Sequence, residues 1–143
     1  MKALIVEDSE TMRKIIRSYL KGIGIETFHE ASDGLRAVEL VRFEDYACIF
    51  LDLHLPTMGG LDVLKAIRGS GNTVPVMVVT TDRQKYTILD AIRAGANDYV
   101  TKPFDRETLL QKTKRMLRLE VPRESSKRLE GLLQRYAHRP PGD

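Results

Sequence analysis

Residues 48–60, CIFLDLHLPTMGG, decide the fold of this chain. The first four residues are a short apolar run, which is typical of a strand covered on both faces of a parallel sheet. The run ends at Asp52, and a proline and two glycines follow it. A hydrophobic core does not favour a lone acid, because burying an unpaired charge is costly. A strand that runs into a carboxylate and then turns sharply therefore indicates a site.

The rest of the chain repeats this alternation of strand and helix. Apolar or alternating runs predict strands at residues 3–6, 25–31, 47–51, 74–79 and 98–100. Apolar residues at three-and-four spacing follow each run and predict five helices. The pattern predicts an α/β fold, a doubly wound five-stranded parallel sheet of strand order 2-1-3-4-5, which is the flavodoxin-like arrangement.

The second helix is predicted from Leu35, Val38 and Val41, which share one helical face. We expect that face to be buried against the sheet. Ser32 or Asp33 is expected to cap the helix, because either side chain can accept a hydrogen bond from a free N–H group of the first turn.

The composition is that of one globular domain with a short appendage. Of the 143 residues, 42% are hydrophobic and 30% are charged. No run approaches the ~20 apolar residues of a membrane span, and the apolar run at the N-terminus is too short for a signal peptide. The single cysteine, Cys48, lies in an apolar run and suits a reducing compartment. We expect a cytoplasmic protein that does not bind membranes.

Charge is unevenly distributed along the chain. Residues 1–100 carry 12 Lys/Arg and 14 Asp/Glu, whereas residues 101–143 carry 11 Lys/Arg and 6 Asp/Glu. A basic end can bind nucleic acid. The simpler interpretation is a solvated helix face, and we do not expect nucleic acid as a partner of this chain alone.

Polar side chains follow four of the five predicted strands. Glu7 and Asp8 come after the first strand, Asp52 after the third, Thr80 after the fourth and Lys102 after the fifth. In open parallel sheets, ligands bind at the carboxyl ends of the strands. Because the first and third strands are neighbours in the order 2-1-3-4-5, the three acids are expected to converge.

Three converging carboxylates repel one another unless a cation is present. Mg²⁺ suits such a site, because it prefers oxygen ligands and shares them with phosphate oxygens. Lys102 adds a positive point charge that fits a phosphoryl group. The set predicts phosphoryl transfer, with Asp52 as the nucleophile.

Four motifs carry a family resemblance: VEDS after the first strand, LDLHLPTMGG around the third, VVTT at the fourth and DYVTKPF at the fifth. With these motifs in order over roughly residues 1–120, the chain resembles the receiver domain of bacterial response regulators of two-component systems, of the chemotaxis-regulator type. The first acid is Glu7 where many relatives have Asp, a frequent variant that is not expected to disable the site.

The resemblance implies a phosphoacceptor rather than a dedicated turnover enzyme. Asp52 would take a phosphoryl group from a sensor histidine kinase or a phosphotransfer protein. Glu7, Asp8 and Asp52 would bind Mg²⁺ together with the main-chain carbonyl of His54, whose imidazole is expected to be exposed. Lys102 would pair with the phosphoryl oxygens.

The resemblance also implies a switch. Thr80 would donate its hydroxyl to the phosphoryl group, and Tyr99 would move toward the space that Thr80 vacates. The bond between Lys102 and Pro103 would be cis. A downstream target or a second copy of the chain would dock on the face formed by the fourth helix, the fifth strand and the fifth helix, which includes Lys85, Tyr86, Arg93, Tyr99 and Arg106.

Other classes stay open on the residues alone. A phosphatase with a nucleophilic Asp usually has a second acid two residues later, where this chain has His54. A small nucleic-acid-binding α/β domain needs a basic, aromatic surface, which residues 1–100 do not suggest. The chain could also be the N-terminal part of a longer DNA-binding transcriptional regulator.

The resemblance divides the chain into a receiver domain, residues 1–120, and a C-terminal extension, residues 121–143. Helical spacing in the extension predicts a short amphipathic helix over residues 124–138, with an apolar stripe of Leu129, Leu132, Leu133 and Tyr136. Such a stripe packs in a dimer or on the domain itself, or the segment serves as a linker.

Overall fold

The computed structural model describes residues 1–118, together with residues 131, 133 and 134. Strands and helices alternate along residues 1–118. They are β1 (Lys2–Val6), α1 (Glu10–Tyr19), β2 (Thr27–Ala31), α2 (Gly34–Phe43), β3 (Cys48–Leu51), α3 (Gly60–Gly69), β4 (Val76–Thr80), α4 (Lys85–Arg93), β5 (Asp98–Thr101) and α5 (Arg106–Met116).

The five strands form one parallel sheet in the order β2-β1-β3-β4-β5. The predicted fold class and strand order are therefore confirmed. In the register of the central strands, Val6 pairs with Ala31 on one side and with Leu51 on the other. The residues that follow Val6 and Leu51 thus leave the sheet side by side.

Two hydrophobic cores cover the two faces of the sheet. Successive side chains of a strand point to opposite faces, so each strand supplies both cores. Leu4 and Ile49 belong to the core beneath α2, α3 and α4, and Ile5 and Phe50 belong to the core beneath α1 and α5. All four side chains are fully buried. Packing on both faces therefore fixes the position of these strands and of the residues at their carboxyl ends.

The α2 helix differs from its prediction. Leu35 is 56% exposed, so the expectation that it is buried is wrong. The buried residues of α2 are Gly34, Ala37 and Val41. The reason is a close approach: a Cβ atom on Gly34 would lie 2.0 Å from the carbonyl oxygen of Met58. No side chain fits at position 34, where the start of α2 meets the loop after β3.

The structure also shows where β2 and α2 begin. The second strand begins at Thr27 rather than at residue 25. Of the two candidate caps of α2, the residue is Asp33, whose carboxylate accepts a hydrogen bond from Arg36 N at 3.0 Å.

The helix predicted over residues 124–138 lies largely outside the described residues. Residues 131, 133 and 134 have helical backbone, and nothing further of that prediction is tested.

Among the helices that the structure describes, none combines the length and apolar character needed to cross a membrane.

Candidate functional site

Three carboxylates meet at the carboxyl edge of the sheet. Glu7 and Asp8 extend β1, and Asp52 extends β3 at a point where its N–H donates to Val6 O at 3.0 Å. One oxygen of each of the three side chains lies within 4.8 Å of the others. Glu7 and Asp52 are buried, while Asp8 is exposed. The structure thus brings together the three acids that the sequence predicts to converge.

Backbone N–H groups fix one oxygen of each buried acid. Ser9 N donates to Glu7 Oε2 at 3.0 Å, and His54 N donates to Asp52 Oδ1 at 3.2 Å. Each donor lies two residues after its acceptor, so the short turns after β1 and β3 hold these carboxylates in place. The second oxygen of each buried acid accepts a hydrogen bond from Lys102.

Lys102, the residue after β5, connects the two buried acids. Its Nζ donates to Asp52 Oδ2 at 3.1 Å and also to Glu7 Oε1. Burial lowers the pKa of Lys102, but the hydrogen bond to Glu7 and the charge of Asp52 outweigh burial and raise the pKa overall. Burial raises the pKa of Glu7, and Lys102 offsets only part of that rise. The ammonium of Lys102 is therefore held in its charged form.

The donor set of this cluster fits a divalent cation. Three carboxylates face a single ammonium group, so two negative charges lack a partner within the cluster when all three acids are ionised. All the candidate ligand atoms are carboxylate oxygens, which are the ligands that Mg²⁺ prefers. The mixture of buried and exposed acids leaves one side of the cluster open to solvent.

The turn after Asp52 requires a glycine at position 60. Gly60 N donates to Leu53 O at 2.9 Å, which brings the start of α3 directly against the end of β3. A Cβ atom at this position would lie 2.1 Å from the carbonyl oxygen of Asp52. The second glycine of the opening stretch is therefore part of the site, because it lets α3 begin next to the acid.

Thr80 lies at the same edge of the sheet, at the end of β4. It is 1% exposed, its carbonyl accepts from Lys102 N at 2.8 Å, and its hydroxyl oxygen accepts from Asp82 N at 3.2 Å. The bond between Lys102 and Pro103 is cis. The backbone of Lys102 is thus tied to β4 while its side chain reaches β1 and β3.

Tyr99 and His54 occupy different surroundings. Tyr99 pairs with Val78 in the sheet, is partly buried, and has Lys112 Nζ 4.9 Å from the centre of its ring. His54 is exposed, and its Nε2 lies 3.8 Å from Asp82 Oδ2. Neither side chain belongs to the carboxylate cluster.

Sequence reasoning missed two residues beside the cluster, Arg13 and Glu30. Arg13 Nη1 donates to Glu7 O at 2.7 Å, and Arg13 Nε donates to Glu30 Oε1 at 2.7 Å. The only sequence feature that could have indicated Arg13 is its position as a basic residue in the first turn of α1, five residues after Asp8. A single basic residue on an amphipathic helix is too common to be selected from the sequence alone.

The sequence matches the family described as the response regulator receiver domain over residues 3–114. The chain belongs to this family. It is 38% identical over 114 residues to chemotaxis protein CheY-3 of Vibrio cholerae, an alignment that covers 78% of this chain and 88% of the relative. It is 36% identical over 118 residues to chemotaxis protein CheY of Pseudomonas aeruginosa, with 81% and 95% covered.

Solved structures of response regulators share the fold of this chain. The receiver domain of Francisella response regulator 1452 has a TM-score of 0.76 at 25% identity, with 82% of this chain and 97% of that chain covered. A two-component response regulator from Clostridium difficile has a TM-score of 0.76 at 29% identity, with 82% and 96% covered. The chain is thus a response regulator receiver of two-component signalling, in fold as in sequence.

Proposed function

We propose that Asp52 is the phosphoacceptor of this receiver. The observation that carries the proposal is the convergence of Glu7, Asp8, Asp52 and Lys102 at the carboxyl ends of β1, β3 and β5, with Lys102 Nζ 3.1 Å from Asp52 Oδ2. The donor is a phosphohistidine of a sensor histidine kinase or of a phosphotransfer protein. An Asp52 oxygen forms the new P–O bond, the P–N bond breaks, and the imidazole leaves with its electron pair.

We assign Mg²⁺ to the carboxylates of Glu7, Asp8 and Asp52 and to the main-chain carbonyl of His54. When bound, the ion supplies positive charge that neutralises the oxygens of the phosphoryl group. Lys102 pairs with a phosphoryl oxygen in place of one of its present carboxylate contacts. His54 N and Ser9 N keep the two buried acids oriented, because each donates a hydrogen bond to one carboxylate oxygen.

The output of the switch is assigned to Thr80 and Tyr99. The Thr80 hydroxyl turns toward the phosphoryl group and donates to it, and Tyr99 moves into the space that is vacated. Burial of Thr80 at the end of β4 and the partial burial of Tyr99 on the neighbouring strand support this coupling. A downstream target, or a second copy of the chain, docks on the face of α4, β5 and α5.

The same proposal sets the limits of the domain. Residues 1–120 form the receiver, and residues 121–143 form an extension. The chain assists its own phosphorylation and its slow dephosphorylation, and it is not a dedicated turnover enzyme. We place it in the cytoplasm, where kinases that use ATP act.

Acetyl phosphate, a small phosphoryl donor, tests this assignment. Incubation with acetyl phosphate and Mg²⁺ should add one phosphoryl group, about 80 Da, to the intact protein measured at neutral pH and low temperature. Asp52→Asn should add none, because an amide cannot attack phosphorus. Uptake of a full equivalent by Asp52→Asn would refute the assignment.

A further inference from the structure

A second set of charges lies next to the carboxylate cluster, where α1 meets β2. Its centre is Arg13, whose side chain is only 16% exposed. Arg13 Nε donates to Glu30 Oε1 at 2.7 Å, and Nη1 donates to Glu7 O at 2.7 Å and to Asp8 O at 3.3 Å. One guanidinium therefore joins β2 to the turn that carries two of the three acids.

This contact acts on the backbone of the acids rather than on their carboxylates. Ser9 already fixes part of the turn, because its N–H binds the Glu7 side chain and its hydroxyl oxygen caps Met12 N at 3.2 Å. The hydrogen bonds from Arg13 reach the carbonyl oxygens of Glu7 and Asp8 instead. They restrain the peptide units that aim the two side chains.

Glu30 in turn orients Arg13. Glu30 lies in β2 opposite Ile5 of β1, so its backbone is fixed by the sheet. Its second carboxylate oxygen accepts from Arg17 Nη1 at 2.5 Å. Arginine presents its donors in a rigid planar fork. With one side of the fork on Glu30, the other side is directed at the two carbonyls.

We infer that Arg13, held by Glu30, is a positioning residue for cation binding by Glu7 and Asp8. The inference rests on the proposed function, since it concerns the same carboxylate cluster. Groups that orient metal ligands typically change metal affinity about 10–100-fold when they are removed. Arg13 is expected to lie at the lower end of this range, because it acts through main-chain carbonyls.

The test compares Arg13→Met with Arg17→Met. Both variants remove an arginine of α1 that pairs with Glu30, but only Arg13 contacts the turn of the acids. Mg²⁺ alone is titrated, and the amide signal of Ser9 is followed by NMR. We expect the Kd for Mg²⁺ to rise about tenfold in Arg13→Met and less than about twofold in Arg17→Met.

A second readout separates positioning from a general loss of structure. The rate of phosphoryl uptake from acetyl phosphate is measured against Mg²⁺ concentration. In Arg13→Met the concentration for half-maximal rate should rise about tenfold, as the Kd does, while the rate at saturating Mg²⁺ stays within about twofold of wild type. A merely structural role would lower the melting temperature without this split.

Arg13→Lys serves if Arg13→Met does not fold. Arg13 reaches Glu30 and the two carbonyls from two different nitrogens. Lysine has one nitrogen and no planar fork, so the Kd should still rise at least about threefold. A Kd equal to that of wild type in Arg13→Met, or in Arg13→Lys where Arg13→Met does not fold, would overturn the inference. Equal losses in Arg13→Met and Arg17→Met would overturn it as well.

The proposed function fails in a different way. If the wild-type chain takes up no phosphoryl group, or if its Mg²⁺ binding is unaffected by Asp8→Asn, the assignment of the cluster itself is wrong. If wild type passes both checks and Arg13→Met binds Mg²⁺ as tightly as wild type, only the role of Arg13 is wrong.

Discussion

Burying two carboxylates at strand ends costs free energy, and a few donors offset that cost in this chain. Glu7 and Asp52 each accept one backbone N–H and share the ammonium of Lys102. The sequence identifies these three residues, because each directly follows a strand; β1 and β3, which precede the two acids, end in continuous apolar runs. It does not identify Arg13, because a hydrogen bond to a carbonyl depends on the path of the turn and not on residue type.

Cys48 gives a prediction about pH. Burial raises the pKa of its thiol from 9.0 to about 12. Between these values the folded state keeps a proton that the unfolded state releases, so stability falls as pH rises through this window. At about pH 10.5 the free energy of unfolding should be lower by about 2 kcal/mol from this group, at 1.36 kcal/mol per pH unit above 9.

Urea unfolding of Cys48→Ala isolates this effect from other titrating groups. At about pH 7.5 the variant should be less stable than wild type by about 1 kcal/mol, because it loses one buried sulfur atom. At about pH 10.5 the order should reverse and the variant should be more stable than wild type by about 1 kcal/mol, because wild type has lost about 2 kcal/mol and alanine has no proton to lose. A deficit that is the same at both pH values would show that the thiol ionises equally in both states.

At the scale of helices and strands, the close approach of backbone segments determines how α2 and α3 pack around the site. The first turns of α2 and α3 both press against the loop after β3, through Gly34 and Gly60. Hydrophobic periodicity finds a helix from its large apolar residues. It therefore identified Val41, which is buried, but it also predicted Leu35 as buried and did not find Gly34 and Ala37, which share the buried face of α2 with Val41. Small contact residues produce no such signal.

Two glycines of α3 provide a matched test of this close approach. Gly60→Ala places a methyl group 2.1 Å from Asp52 O, so the helix must move away from β3. We expect a loss of about 2–3 kcal/mol in the free energy of unfolding, as for other overpacked sites. The measurement is urea unfolding of each variant.

Gly69→Ala is the control in the same helix. A Cβ atom at Gly69 meets nothing within 4 Å, and alanine is the better helix former by about 1 kcal/mol. Gly69→Ala should therefore be as stable as wild type or slightly more stable. Similar effects of the two substitutions would contradict the account of the turn after Asp52.

At the scale of the whole molecule, the fold could be predicted because every strand of the sheet is parallel. Continuous apolar runs predicted the alternation of strands and helices. The polar residues at the strand ends predicted that the site lies at the carboxyl edge of the sheet. The exact start of β2 could not be predicted, because Ile25 is buried without belonging to the strand. An apolar residue in a strand-like run does not show where the ladder begins.

Phosphorylation is expected to shift a population of conformations across the molecule. Beryllofluoride, a mimic of the phosphoryl group, should move NMR signals of Thr80 and Tyr99 and of the face formed by α4, β5 and α5. In Thr80→Ala the shifts should stay near Asp52, because the hydroxyl that couples the site to Tyr99 is missing. Identical spectra of the two liganded proteins at Tyr99 would refute this coupling.

Direct localisation of the phosphoryl group tests the central claim, that Asp52 is the phosphoacceptor. Borohydride reduces an acyl phosphate to an alcohol, so a phosphorylated aspartate becomes homoserine. After reaction with acetyl phosphate and Mg²⁺, reduction and peptide mass spectrometry should find homoserine at position 52. Homoserine at Asp8 or at another aspartate, with position 52 unchanged, would contradict the account.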